Sequence, residues 1–318
     1  MHIKFRSFFV VLTLIFLAFT HTATAQQQGP LGFAQAKKEL RQQVYYDRHT
    51  KGDSYCGCTW KWVGVSGGRT DLASCGYEIR AQKVRAERIE WEHVVPAWQF
   101  GHQRQCWQQG GRKHCKRTDP VFNMMEADMH NLTPVVGEVN ADRSNYAFGA
   151  LPNAPALYGA CTFRVDFSAR KAMPPESFRG AAARIYFYMA DRYDLTLSRQ
   201  QQQLFMAWHR QHPATDWEIE RDRRIAAVMG HHNPFVTGER VWKLGHKNSR
   251  EGLHSKVPAT HPSQTNTAGP IHGNRNSRVY HLPKGCPSYN AMKDSNKIEF
   301  KTEAEAQAAG FRKAGNCR

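Results

Sequence analysis

Eight cysteines constrain the fold of this 318-residue chain more than any other feature of its sequence. In a chain that leaves the cytoplasm, an even number of cysteines predicts disulfide bonds and not thiolate metal sites or a redox centre. Cys106 and Cys115 flank the turn at residues 110–111, so we expect them to pair, and we expect Cys286 to pair with Cys317. For the remaining four, sequence alone does not choose the partners. These are Cys56, Cys58, Cys75 and Cys161.

The N-terminus has the layout of a cleavable secretory signal. Lys4 and Arg6 precede an apolar run over residues 8–19, and the small residues Ala23 and Ala25 close the segment. The run is shorter than the roughly 20 apolar residues of a membrane-spanning helix, although an uncleaved anchor is an alternative. The sequence therefore predicts a signal peptide over residues 1–25. The mature protein is expected to be exported, to the periplasm or the medium, without membrane insertion.

The charge of the chain favours a polyanionic partner. The formal net charge is +17 at pH 7, which suits nucleic acid, acidic polysaccharide or anionic lipid. Charge alone does not choose among these, and a merely solvated basic surface is the alternative. A lipid-binding envelope protein would need a basic amphipathic helix, for which the sequence offers no clear candidate.

Apolar periodicity predicts a mixed α+β fold. Residues 31–48 are expected to open the fold as a helix, and residues 52–90 to form short strands and turns. Three further helices are expected over residues 176–193, 198–211 and 216–229. Most of the His, Asn, Asp and Glu residues that could take part in catalysis or metal binding lie between these regions. They fall in a stretch from about residue 93 to 150 that is expected to consist mainly of loops.

The composition predicts three segments after the signal. A main domain is expected over residues 26–237. Residues 238–277 lack apolar periodicity and are rich in Gly, Ser, Asn, His, Pro and Thr, which predicts a flexible basic linker. Residues 278–318 are expected to form a small β-β-α module stapled by its two cysteines. His281 could instead join those cysteines in a metal site, which an oxidising compartment disfavours.

Residues 88–96 bring two carboxylates and an imidazole close together in a predicted strand. Strict strand alternation places Glu90 and Glu92 on one face and His93 on the other. If the three residues share a site, a bulge or a strand end near Pro96 has to redirect one of them. Such residues at a strand end are also common on ordinary protein surfaces, so this stretch alone does not define a site.

A second polar stretch, over residues 128–146, places Asn140 on a short predicted helix. Hard divalent cations such as Mg²⁺ take oxygen ligands, usually only one or two from the protein. Glu92 and Asn140 suit that role. The alternative is that the Asn and Asp residues of this stretch form caps and turns.

Taken together and in order, several motifs resemble the bacterial endonuclease I family of periplasmic and secreted nucleases. They are EWEHVVPA at residues 90–97, GGR at 110–112, DMHNL at 128–132, GEVNADR at 137–143 and NPFV at 233–236. The resemblance covers roughly residues 31–237 and implies a ββα-metal active site in the mixed α+β fold. The C-terminal segment resembles a small accessory domain of some bacterial nucleases, a likeness that does not establish its function.

The resemblance implies roles for individual residues. His93 would be the general base that activates water, and Arg112 would grip the scissile or an adjacent phosphate. Glu92 and Asn140 would ligate one Mg²⁺, with Mn²⁺ or Ca²⁺ as substitutes. Glu90 and Glu126 match acidic positions that line the family's site, with less definite roles. His130 would either support the residues that contact the substrate or belong to the scaffold.

These expectations combine into a function. The chain is expected to be a monomeric, exported, sequence-nonspecific endonuclease that hydrolyses DNA, with RNA as a further substrate. Attack by a His-activated water, assisted by Mg²⁺, would leave 5′-phosphate ends. The alternative is a secreted nucleic-acid- or polyanion-binding protein without catalysis, which the intact candidate residues disfavour.

Overall fold

The computed structural model describes residues 32–254, 270–300 and 303–317. The predicted signal peptide and residues 255–269 of the predicted linker lie outside the described residues. Among the residues that are described, no helix is long and apolar enough to cross a membrane.

Residues 32–254 form the mixed α+β fold that the sequence predicts. The helices are α1 (Phe33–Glu39), α2 (Lys83–Ala86), α3 (Ala97–Gly101), α4 (Gln105–Gln108), α5 (Gly111–Thr118), α6 (Pro120–Ala127), α7 (Gly137–Arg143), α8 (Glu176–Tyr193), α9 (Arg199–Gln211), α10 (Asp216–Met229), α11 (Pro234–Thr237) and α12 (Glu251–His254). The strands are β1 (Trp60–Val63), β2 (Gly67–Thr70), β3 (Arg88–His93), β4 (Leu132–Val136), β5 (Ala147–Phe148), β6 (Arg164–Asp166) and β7 (Lys171–Met173). A π-helical turn, Leu40–Val44, continues α1 and ends the opening helix.

An antiparallel sheet in the order β1-β2-β3-β4 carries the strand that holds the candidate residues Glu90, Glu92 and His93. β3 pairs with β4 in a continuous register, from Ile89 opposite Val136 to His93 opposite Leu132. Helix α7 begins at Gly137, directly after β4. β3, β4 and α7 therefore form a ββα unit, as the family resemblance predicts.

The two faces of β3 meet different parts of the molecule. Trp91 is buried, and its ring packs against those of Tyr45 and Trp62, at 5.5 and 6.4 Å between centroids. This apolar face is covered by α1 and its π-helical continuation. Because side chains alternate along a strand, Glu90 and Glu92 lie on the opposite face, where they contact α7.

The three long helices confirm the sequence prediction almost to the residue. Ser198 begins α9 with a capping box completed by Gln201, and the Thr215 hydroxyl accepts the backbone N–H of Glu218 at the start of α10. α8 is buried along most of its length and forms the centre of the main hydrophobic core. These helices are the scaffold against which the ββα unit is held.

Four disulfide bonds account for all eight cysteines. The two predicted pairs, Cys106–Cys115 and Cys286–Cys317, are confirmed. The pairs that the sequence left open are Cys56–Cys161, which closes a span of 105 residues, and Cys58–Cys75. Three of the four disulfides, Cys56–Cys161, Cys58–Cys75 and Cys106–Cys115, lie within residues 32–254, which contain the ββα unit.

The segment predicted as a linker begins with residues that are packed and not extended. Trp242 is buried and stacks on Phe187 of α8, at 4.8 Å between ring centroids. Asp191 of α8 accepts hydrogen bonds from the side chains of Arg240, His246 and Ser249, at 2.6, 2.7 and 2.8 Å. Polar contacts of this kind leave no apolar periodicity, which explains why the sequence assigned residues 238–254 to a linker.

The C-terminal residues form a small sheet in the order β10-β8-β9-β11. Its elements are β8 (Ile271–Asn274), β9 (Val279–His281), β10 (Lys297–Phe300), α13 (Glu303–Ala308) and β11 (Arg312–Lys313). Tyr280, Phe300 and Phe311 belong to a hydrophobic cluster within this unit. The unit begins before residue 278, where the sequence placed its start. Strand β8 has one large apolar residue and a glycine, and so carries little alternation signal.

The packing of α7 on β3 gives the first prediction. A Cβ atom added at Gly137 would lie 2.5 Å from the backbone oxygen of Arg85 and 2.9 Å from the carboxylate carbon of Glu90. We therefore expect Gly137→Ala to lower the free energy of unfolding in urea by about 1–3 kcal/mol, as overpacked sites do.

Gly149→Ala is the matched control, because its Cβ would meet only the flexible side chain of Lys171, at 3.2 Å. Unchanged stability in Gly137→Ala would contradict the close approach of α7 to the Arg85 backbone of α2.

Candidate active site

Side chains of α7 make several polar contacts to β3. The Asn140 amide nitrogen donates a hydrogen bond to Glu90 at 2.9 Å, and the Arg143 guanidinium lies 3.3 Å from the Glu92 carboxylate. Residues three apart share a helix face, and residues two apart share a strand face. The spacings on the two elements therefore match, and the structure brings Glu90, Glu92 and Asn140 to one junction.

Glu92 is a buried carboxylate between two donors. Tyr55 donates its hydroxyl to Glu92 Oε1 at 3.2 Å, and Arg143 approaches the same oxygen. Burial raises the pKa of Glu92 to about 7, although the Arg143 charge opposes that shift. The ionised form of Glu92 is thus stabilised by any further positive charge placed beside it.

Glu90 sits in a different environment and orients Asn140. Its carboxylate accepts hydrogen bonds from the guanidinium groups of Arg85 and Arg88 as well as from Asn140. An ionised carboxylate only accepts hydrogen bonds, so the amide nitrogen of Asn140 must face Glu90. The Asn140 oxygen consequently faces away from Glu90.

His93 is held by one ring nitrogen. Its Nε2 lies 2.8 Å from the backbone oxygen of Glu126, which can only accept, so Nε2 carries the proton and Nδ1 carries the lone pair. The ring packs against Phe33 and Phe100, at 4.8 and 6.0 Å between centroids. Burial, together with the nearby Arg112 charge, lowers the pKa of His93 to about 3.

Strand β3 ends directly after His93, and hydrogen bonds from Asn131 hold the backbone of the residues that follow. The Asn131 side chain makes two hydrogen bonds to the backbone of Val95, accepting from its nitrogen at 2.7 Å and donating to its oxygen at 2.9 Å. The Asn131 backbone oxygen accepts the N–H of Val94 at 3.0 Å. A strand end, and not a bulge, is therefore what separates His93 from the loop that follows.

Helix α5 supplies two cations that point to one carboxylate. The α5 residue Arg112 donates its Nε to Glu126 Oε1 at 2.6 Å, and Lys116 lies 3.4 Å from the other Glu126 oxygen. Glu126 is fully buried, and its backbone oxygen is the one that holds His93. The Cys106–Cys115 disulfide ties α5 to the preceding helix, α4.

The candidate residues thus form two groups that meet at the end of β3. Glu90 and Glu92 meet Asn140 where β3 contacts α7. His93 and Arg112 lie on the other side, where β3 approaches α5 and α6. Within the described chain, the Glu92 carboxylate makes no hydrogen bond to the Asn140 side chain or to the His93 imidazole. Glu92 and His93 are consecutive residues whose side chains leave β3 on opposite faces, so the two groups adjoin at the end of that strand.

Sequence reasoning missed several side chains of the site. Arg143 follows Asn140 by three positions, and that helical spacing could have revealed it. Lys116 follows Arg112 by four positions and could have been found in the same way. Tyr55 and Phe33 reach the site from distant parts of the chain and left no local signal.

His130 and the residues around His281 are the other groups that the sequence singled out. His130 is fully buried, and its ring packs against that of Tyr188 at 4.8 Å, as expected of a scaffold residue. Metal-ligating atoms of His281, Cys286 and Cys317 lie within 4.8 Å of one another. The two sulfurs are bonded to each other, however, which removes both thiolates from a metal site.

Comparison with known families decides the classification. The sequence profile of the Endonuclease I family matches residues 32–239 of the chain, which is more than half of its length. This chain belongs to the endonuclease I family. The match includes the whole ββα unit together with α5, α6 and the long helices of the scaffold.

Several members of the endonuclease I family are closely similar to this one. An extracellular deoxyribonuclease of Aeromonas hydrophila is 53% identical over 205 residues, covering 64% of this chain and 88% of that protein. A periplasmic deoxyribonuclease of Aeromonas hydrophila is 54% identical over 183 residues, covering 57% of this chain and 76% of that protein. Endonuclease-1 of Buchnera aphidicola subsp. Acyrthosiphon pisum (strain APS) is 48% identical over 189 residues, covering 59% of this chain and 75% of that protein.

The environment of His93 gives the second prediction. The lowered pKa, about 3 against an ordinary 6.5, means that the unfolded chain takes up a proton near pH 6.5 that the folded residue does not. His93 therefore subtracts stability as the pH falls from 6.5 towards 3. In long-range ¹H–¹⁵N NMR spectra recorded in EDTA, we expect His93 to remain the neutral Nε2–H tautomer down to about pH 5.

The His93 signal is assigned as the one that is absent from the spectrum of His93→Asn. An Nδ1–H tautomer would contradict the bond to the Glu126 carbonyl, and a titration midpoint near pH 6.5 would contradict the lowered pKa of His93.

Proposed function

We propose that this family member is an exported, metal-dependent endonuclease that hydrolyses DNA, and RNA as a further substrate, without sequence preference. The observation that carries the proposal is the His93 imidazole, whose Nε2 is bonded to the Glu126 carbonyl so that Nδ1 can accept a proton. Relatives named extracellular and periplasmic deoxyribonuclease support export and a DNA substrate. The net charge of +17 supports a polyanionic substrate.

Glu92 and Asn140 are the proposed ligands of one Mg²⁺, with Mn²⁺ or Ca²⁺ as substitutes. Two features fit such an ion: the Glu92 carboxylate is buried with a raised pKa, and the Asn140 oxygen is turned away from Glu90. Both ligands offer oxygen, which hard divalent cations prefer. When bound, the ion would neutralise negative charge on the phosphate and on the departing 3′ oxygen.

His93 acts as general base in the proposed reaction. Its Nδ1 takes a proton from a water molecule, the water oxygen attacks phosphorus, and the bond from phosphorus to the 3′ oxygen breaks. The departing 3′ oxygen takes up a proton from solvent water, so the products are a 5′-phosphate and a 3′-hydroxyl. The Glu126 carbonyl stabilises the imidazolium that forms, because it accepts the Nε2–H bond throughout.

Arg112 binds the substrate phosphate in this scheme. Its Nε is committed to Glu126, which fixes the plane of the guanidinium and leaves the terminal nitrogens to form charge-assisted hydrogen bonds with phosphate oxygens. Contacts to phosphates position a substrate but carry no sequence information. The site therefore suits hydrolysis without sequence preference.

The remaining assignments are proposals of the same kind. The chain works as a monomer in the periplasm or the medium after removal of residues 1–25. A catalytic domain starts at residue 26, and a basic linker precedes the C-terminal unit. The packing of residues 238–254 on α8 supports placing the start of that linker after residue 254.

A secreted polyanion-binding protein without catalysis is the second candidate, favoured by the net charge alone. The two candidates differ in one experiment. We expect the mature, oxidised protein to degrade supercoiled plasmid DNA with Mg²⁺ and to be inactive in EDTA. His93→Ala should lose about 10²–10⁴ in rate, the contribution of a positioned base, while still shifting DNA on a gel.

His102→Ala is the control, because the half-buried His102 ring stacks on Trp98 and is not among the proposed site residues. Shifted but uncleaved plasmid across several divalent metals would favour the binding protein. Cleavage by His93→Ala at nearly the wild-type rate would remove His93 from the role of base.

A further inference from the structure

Helix α5 offers more positive charge than its carboxylate partner can neutralise. Arg112 and Lys116 are one helical turn apart, and both approach the fully buried Glu126 carboxylate. The two cationic side chains nevertheless keep 43% and 45% of their surface exposed. Two cations against one carboxylate leave one positive charge in excess, and it faces solvent.

Both cations border the catalytic imidazole. The Phe33 ring lies 4.8 Å from the His93 ring, and the Arg112 and Lys116 head groups lie 5.9 and 6.0 Å from that same Phe33 ring. The charge of Lys116 is also one of the causes that lower the pKa of His93. His93, Arg112 and Lys116 therefore surround one aromatic ring at the entrance to the site.

Lys116 is held near Glu126 without being locked to it. Although its amino group lies 3.4 Å from Glu126 Oε2, that oxygen has no hydrogen-bond partner among the described residues. Arg112, by contrast, makes a short hydrogen bond to the other oxygen. A lysine ammonium is a compact charge with three donors on a flexible stem, which suits a phosphate contact.

We propose that Lys116 forms a flanking-phosphate subsite, which binds the phosphate next to the scissile one on the same strand while Arg112 binds the scissile phosphate. This proposal rests on the proposed function of the His93 site. It defines the minimal substrate as a strand with two consecutive phosphodiesters. A dinucleotide, which has one phosphodiester, would leave the subsite empty and be cleaved slowly.

Short oligonucleotides with one neutralised linkage test the subsite. The substrates are labelled trinucleotides with two linkages, of which one is a cleavable phosphodiester. The second linkage is either a phosphodiester or a neutral methylphosphonate, and it is placed on the 5′ or the 3′ side of the cleavable one. For the wild type, a neutral neighbour on one side should lower kcat/KM about tenfold, the loss of one charged contact. Lys116→Met should lose about tenfold on the charged substrate and then be indifferent to the neighbour.

Two variants control for general effects of charge and folding. Lys116→Arg keeps the charge and should keep the dependence on the neighbouring phosphate. Lys113→Met removes an exposed lysine of the same helix and should also keep it. Equal losses for Lys116→Met on both substrates, or a wild type indifferent to both neighbours, would overturn the proposal.

Binding in EDTA separates this inference from the proposed function. Lys116→Met should reduce the slope of log affinity against log salt by about 0.9 on duplex DNA, the value for one phosphate contact. A wild type that cleaves nothing would refute the nuclease. Even then, the subsite would be supported if the wild type bound the methylphosphonate trinucleotide more weakly than the phosphodiester trinucleotide and Lys116→Met bound the two equally. Equal binding of the two trinucleotides by the wild type would overturn the subsite.

Discussion

The contacts of the buried Arg143 guanidinium hold the candidate residues of β3 and α7 in place. It lies 3.3 Å from the Glu92 carboxylate and donates to the backbone oxygens of His93 and Val94, at 3.2 and 2.6 Å. A buried ion pair adds little net stability, because desolvation offsets the attraction. Its effect here is geometric, since it pins the end of β3 to α7 at the point where Glu92 and His93 turn to opposite faces.

The far side of α7 is held as firmly as the side that faces β3. Glu138 accepts the Tyr77 hydroxyl at 2.9 Å and the backbone N–H of Ala81 at 2.7 Å, and Asp142 accepts the Tyr158 hydroxyl at 2.8 Å. The carboxylates of α7 are thus structural. Asn140 lies between them on that helix, and its oxygen faces away from Glu90.

The neighbouring carboxylates Glu90 and Glu92 show how local environment divides roles on one strand. Glu90 is paired with two arginines and holds the Asn140 amide. Glu92 is buried, with one guanidinium nearby and a raised pKa. Sequence alone could place both residues on one face of β3, but only their three-dimensional partners distinguish a carboxylate that orients Asn140 from one suited to bind a cation.

Features with local physical causes could be predicted from the sequence. Helices α8 to α10 follow from apolar periodicity, and the Cys106–Cys115 pair follows from the short turn between its cysteines. The tertiary contacts could not be predicted in this way, because Tyr55 and Phe33 contact the site from far along the chain. The polar packing of residues 238–254 was missed for a related reason: side chains that bind Asp191 look in sequence like those of a linker.

The central claim is that the ββα unit presents Glu92 and Asn140 to one divalent cation beside His93. Anomalous diffraction from crystals of the mature protein soaked in Mn²⁺ tests it most directly. We expect an anomalous peak that contacts the Glu92 carboxylate and the Asn140 oxygen. A peak that contacts neither residue, or an Asn140 amide whose nitrogen faces the ion, would contradict it.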